Sequence, residues 1–135
     1  MKPLDLNLWV RLAAAVVKVV LGAVWYSPPL FATAWRRLAK VSEEEMKAGL
    51  RKGVLVDFVG GFVMAFVLAH AIRYANAQGA GQGMAVGFFN WLGFVATVNL
   101  SGIVFERRPF NLFLVNSGFL LVSLLVMGAM LALWV

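Results

Sequence analysis

The 135-residue sequence contains no cysteine and a single histidine. The first absence excludes disulfides, thiolate zinc sites and cysteine nucleophiles, and leaves the redox compartment open. The second leaves no imidazole cluster for a metal: no cysteine or carboxylate pattern accompanies His70. His70 reads as a solvated histidine near a helix end. Charge is also scarce. Asp, Glu, Lys and Arg make up 13% of the residues, against about 25% in an average soluble domain. Hydrophobic residues make up 62%, and the mean hydropathy is +0.86.

A soluble fold of this composition would expose large apolar patches, so the expected solvent is lipid. A membrane span needs ~20 predominantly apolar residues. Four such runs are present, at about 7–25, 53–72, 84–105 and 110–134. The expected fold is all-α: an integral membrane bundle of four transmembrane helices forming one domain over 1–135. Lys2 gives the first run a positive start, as in a signal peptide. Arg11 and Lys18 interrupt it, however, and no clear small-x-small cleavage site follows, so a retained helix is expected.

The basic residues are unevenly placed. Arg36, Arg37, Lys40, Lys47, Arg51 and Lys52 lie between the first two runs, and Arg107 and Arg108 between the last two. The middle connection, "RYANAQGAGQG", holds only Arg73. The positive-inside rule therefore puts the first and third loops in the cytoplasm, with both termini outside. The net charge of +6 then points to anionic lipid headgroups and not to nucleic acid.

Residues 30–40 predict a short amphipathic helix in the headgroup plane. Phe31, Trp35 and Leu38 share one face, while Arg36, Arg37 and Lys40 lie away from it. With Trp25 and Tyr26 they are the expected membrane-interface anchors. Pro28 and Pro29 end the first span, because each lacks an N–H and restricts the residue before it. Ser42 with Glu45 fits a capping box, and Glu43 with Lys47 fits an i,i+4 ion pair. These predict one long helix over 43–74.

Helix association in lipid relies on small residues that let backbones approach. Gly83, Gly87, Asn90, Gly93, Thr97 and Ser101 form one small, polar stripe along the third span. Gly53, Asp57, Gly60, Gly61 and Ala65 offer a similar face on the second, and Gly128 with Ala132 and Asn116 with Ser123 on the fourth. Gly83, Gly87, Gly93 and Gly128 are the expected packing glycines. "GAGQG" lacks the preceding strand and the lysine of a phosphate loop, and reads as a flexible outer turn.

Ionisable residues inside a span are functional candidates by default. Arg11 and Lys18 lie seven apart, on one face of the first helix. Arg11 is near enough to the outer end to snorkel; Lys18 is deeper. Asp57 is the only acid inside a span, about one turn from the cytoplasmic face. A Lys18–Asp57 pair would lower the cost of both charges; otherwise Asp57 stays at the wet interface near Lys52. Thr97, Asn99 and Asn116 lie at similar depth, with Asn99 off the glycine stripe. These five form the candidate intramembrane polar site. No nucleophile–base pair or metal motif is present, so neither an enzyme nor a cofactor is expected.

"LGAVWYSPPLFATAW" and "FERRPFNLFLVNSGFLLVSLLVMGAMLALW" together resemble the uncharacterised bacterial membrane family numbered 1761 among the domains of unknown function. The matching residues are Gly22, Trp25, Tyr26, Ser27, Pro28, Phe31, Trp35, Arg108, Pro109 and Gly128. The sequence departs from that pattern at Arg11, Lys18 and Ala32. The resemblance implies a membrane bundle and brings no activity. Two roles fit the residues: an ion or small-molecule conduit formed by a homo-oligomer, or a structural scaffold without transport.

Overall fold

A computed structural model of the chain describes residues 8–134. Lys2 and the first residue of the first predicted span lie outside them. The described residues form α1 (Leu8–Trp25), α2 (Ala32–Ala39), α3 (Glu43–Ala48), α4 (Leu50–Tyr74), α5 (Gly79–Asn90), α6 (Thr97–Phe105) and α7 (Phe110–Trp134). A π-helical segment, Trp91–Ala96, joins α5 to α6 without a break. Four stretches are long and apolar enough to cross a membrane: Leu8–Trp25, Leu50–Tyr74, Gly79–Phe105 and Phe110–Leu133. The protein is an all-α, multi-pass membrane bundle.

Contacts fix the helix directions. Arg11 of α1 meets Phe66 of α4, and Lys18 meets Asp57, so α1 and α4 run antiparallel. Gly83 packs on Gly128 and Gly87 on Leu124, so α5 and α7 do too. One end of the bundle therefore gathers the end of α1, α2, α3, the start of α4 and the 106–109 turn. This basic end carries Arg36, Arg37, Lys40, Lys47, Arg51, Lys52, Arg107 and Arg108. The far end carries the 75–78 turn.

The far half of the interior is apolar but for Arg11 and Ser123. Ala14, Ala65, Leu68, Ala69, Ile72, Leu124, Met127, Leu131 and Ala132 form one buried cluster. Gly83, Gly87 and Gly128 bring α5 and α7 into backbone contact there. A Cβ on Gly83 would collide with the Gly128 carbonyl oxygen, and one on Gly87 with that of Leu124. Helix α5 already begins at Gly79, so "GAGQG" is not the flexible turn its composition suggests, despite the low helix propensity of glycine; of its glycines only Gly83 is packed.

Three further sequence expectations are corrected. The helix expected over 43–74 is divided at Gly49, which ends α3 and begins α4. The capping box forms as expected: the Glu45 N–H donates to Ser42 Oγ at 3.0 Å, and the Ser42 N–H donates to Glu45 Oε1 at 3.2 Å. Lys47 Nζ lies 3.2 Å from Glu43. On α4, only the inner part of the small face is used: Gly61 and Ala65 are buried, whereas Gly53 and Gly60 have open space beside them.

The third correction concerns Gly93, which packs against nothing: a Cβ there would meet no atom within 4 Å. The reason is the π segment. Steps of four residues overshoot a 3.6-residue α-turn by about 40° each, whereas a wider turn absorbs the drift. The inward face of this helix accordingly runs Gly83, Gly87, Trp91, Val95 and Asn99. The second half of the predicted stripe, Gly93, Thr97 and Ser101, is left exposed.

Candidate functional site

Apart from Arg11 and Ser123, the polar residues of the interior collect in the half nearest the basic end. Lys18 is 4% exposed and its Nζ forms an ion pair with Asp57 Oδ1. Its stem lies across Gly61, where a Cβ would come within 3.3 Å of the lysine Cδ. Its Nζ also stands 5.2 Å from the centroid of the Phe119 ring. A small residue on α4 thus makes room for the long side chain, and an aromatic face on α7 supports its charge. The two partners differ in access: the Lys18 side chain is 5% exposed and that of Asp57 33%.

The stretch Trp25-Tyr26-Ser27-Pro28 places four different groups beside this pair. Pro28 and Pro29 stop α1. The Ser27 hydroxyl donates back to the Val24 carbonyl at 2.6 Å, which also accepts from the Ser27 N–H at 3.2 Å. Trp25 turns toward α7 and donates from Nε1 to the Val115 carbonyl at 3.0 Å. Its ring stacks on Phe31 with centroids 4.6 Å apart. The Tyr26 hydroxyl donates to Asn116 Oδ1 at 2.7 Å, and its ring meets Trp35 and Phe119 edge-on. Burial pushes the Tyr26 hydroxyl well above the usual tyrosine range, and the Asp57 carboxylate pushes it further the same way.

The expected anchors thus divide by direction. Trp25, Tyr26, Phe31 and Trp35 face one another and α7, while Arg37 and Lys40 point outward and Arg36 is half-buried. Lys40 closes α2 in the left-handed conformation, at φ 60°.

Two clefts open at the basic end. One, of about 670 Å³, lies between α1, α3 and α4, with Asp57, Tyr26, Phe119 and Glu45 in its walls. The other, of about 710 Å³, lies between α6 and α7, with Asn99, Asn116, Ser117 and Arg108 in its walls. Trp35 and Val41 border both. The Tyr26–Asn116 hydrogen bond joins a group of the first cleft to a group of the second.

In the second cleft Asn99 Nδ2 donates to Ser117 Oγ at 3.0 Å, and Trp91 Nε1 to the Ser117 carbonyl at 2.8 Å. Asn99 reaches α7 because the π segment has rotated it inward. Of the five expected site residues, Lys18 and Asp57 meet directly, Asn116 joins them through Tyr26, and Asn99 stands in the neighbouring cleft. Thr97 is the exception: it is exposed, and its hydroxyl donates to Gly93 of its own helix at 2.7 Å. The same rotation that brings Asn99 in carries Thr97 out.

The sequence reading missed Ser117 and assigned Tyr26 to the interface alone. Only the spacing of Asn116 and Ser117, one residue apart on the fourth span, could have signalled a pair of polar groups there. Arg11 also departs from expectation. It is buried, at 5% exposed, with its guanidinium 5.1 Å from the centroid of the Phe66 ring. His70 is half-buried, and its Nδ1 lies 2.8 Å from the Phe66 carbonyl. Among the described residues no group of three metal-ligating side chains comes together.

The family profile described as protein of unknown function DUF1761 matches residues 9–132, and the chain belongs to that family. No curated protein and no solved structure matches it.

Proposed function

We propose that this DUF1761 protein is a non-enzymatic conduit for an ion or small solute, working as a homo-oligomer in a bacterial inner membrane. The observation that carries the reading is the Lys18–Asp57 pair, whose carboxylate lines a cleft at the basic end of the bundle. A lysine near mid-membrane costs ~2.5–3.5 kcal/mol on insertion scales. A chain needing only a packed bundle would do better with an apolar residue there. In this reading the basic end faces the cytoplasm, its cations rest on anionic headgroups, and both termini face outward. The exposed stripe of Gly93, Thr97 and Ser101 supports contact between copies, since small and hydroxyl side chains suit helix association in lipid.

A second reading, a scaffold without transport, is favoured by the apolar far half of the bundle. There α5 and α7 touch backbone to backbone. Reconstitution separates the two. Purified protein in liposomes is expected to pass cations above protein-free vesicles, and Asp57→Asn to abolish the excess. Wild-type vesicles as tight as empty ones would reject the conduit in favour of the scaffold. The absence of native cysteine makes the oligomer directly testable. Thr97→Cys should cross-link between chains, and Val16→Cys, on exposed α1, should not.

A further inference from the structure

Of the ion pair beside the 670 Å³ cleft, the accessible member is the carboxylate. Asp57 is one third exposed, whereas its partner Lys18 is sealed behind it at 5%. Glu45 adds a second carboxylate. Lys47 also borders the cleft, but its Nζ is held 3.2 Å from Glu43. The remaining wall is aromatic and apolar, with Tyr26, Trp35 and Phe119 facing Leu50 and Val54. Phe119 already carries one cation on its ring, the Lys18 ammonium at 5.2 Å. The volume falls within the ~300–1,000 Å³ of small-molecule sites.

From this combination we infer that the cleft binds a lipophilic organic cation, which competes with Lys18 for Asp57. The ligand class is an ammonium, guanidinium or phosphonium centre bearing apolar or aromatic groups. The inference deepens the reading of this cleft as the solute-facing site and rests on it. An inorganic cation would have to shed water and would gain nothing from the apolar wall. It would also meet the net charge of +6 without compensation. An apolar body gains from burial, and an aromatic face holds a desolvated cation. The carboxylate then has two alternative partners, the internal lysine and the ligand.

Competition makes the test specific. The probe is tetraphenylphosphonium, measured by equilibrium dialysis with the full chain in detergent, against empty micelles. Tetraphenylborate, of the same shape and opposite charge, is the control. Saturable phosphonium binding at one site per chain is expected, and none for the borate. Lys18→Met removes the internal competitor and should tighten binding about tenfold or more, since an affinity masked by an occupied partner recovers when that partner goes. Asp57→Asn should weaken it at least about tenfold. Val54→Trp fills the cleft without touching the ion pair, and should abolish binding while leaving the thermal midpoint in place.

Equal binding of the borate, or weaker phosphonium binding in Lys18→Met, overturns the inference. Liposome flux without saturable phosphonium binding rejects this ligand and keeps the conduit. Phosphonium binding without flux keeps the site and rejects the conduit.

Discussion

Replacing Asp57 by asparagine should destabilise the fold far more than replacing Lys18 by methionine. The asymmetry follows from burial. At an effective dielectric of about 20, unit charges about 4 Å apart attract by about 4 kcal/mol. That offsets the ~2.5–3.5 kcal/mol cost of inserting the lysine. Asp57→Asn leaves the ammonium sealed, with the Phe119 ring as a weaker counterpart. A loss of about 3 kcal/mol is expected, near the lower limit for breaking a buried pair. Lys18→Met leaves a carboxylate that is one third exposed to the cleft and can be solvated there. Methionine also keeps the apolar stem over Gly61. The expected loss is about 1 kcal/mol, since a solvated charge is worth little. The double variant should lose only about 1–2 kcal/mol, a coupling of about 2–3 kcal/mol. Reversible unfolding in mixed micelles, with helicity as the signal, measures all three. Additive losses, or a larger loss in Lys18→Met than in Asp57→Asn, would refute the reasoning.

Other substitutions test the remaining structure. Gly83→Ala should lose about 1–3 kcal/mol or more, because its methyl meets the Gly128 carbonyl, while Gly93→Ala should be neutral or gain up to about 1 kcal/mol. Thermal midpoints of the two variants in one detergent compare them directly. Ser42→Ala removes the hydroxyl that accepts from the Glu45 N–H, keeps the backbone N–H that donates to Glu45, and should cost about 1 kcal/mol, visible as faster amide exchange at Glu45. Tyr26 gives an alkaline signature. Its raised pKa means that the folded chain holds the phenolic proton more tightly than the unfolded chain, whose tyrosine ionises near about 10. Stability should therefore fall as pH rises above about 10, and Tyr26→Phe should flatten that fall while costing about 1 kcal/mol at neutral pH. An unchanged alkaline slope in the variant would assign the fall to another group.

Much of the architecture is written in local sequence because lipid imposes a one-dimensional rule. A span must satisfy its own backbone hydrogen bonds and present apolar side chains over ~20 residues. Composition alone therefore gives the four spans. Local chemistry gives the proline stop after α1, the Ser42–Glu45 cap and the Glu43–Lys47 pair, since each involves residues within one turn. The seven-residue spacing of Arg11 and Lys18 likewise survives into the fold, with both on the buried face of α1.

What tertiary structure decided is where each helical face points. A stripe read at α-helical period places Gly93 and Thr97 inside and Asn99 aside. The π segment at Trp91–Ala96 reverses that, and no local residue pattern announces it. Trp25-Tyr26-Ser27-Pro28 reads from sequence as an interfacial exit, because nothing within one turn shows that the Trp25 and Tyr26 partners lie 90 residues away, at Val115 and Asn116. Lys18 and Asp57 were each conspicuous as charges in apolar runs. Their pairing depended on Gly61 being small enough to let one side chain cross another helix. Hydrophobic run length is a property of the chain, whereas rotational phase, close approach and unequal access of two paired charges arise only between helices.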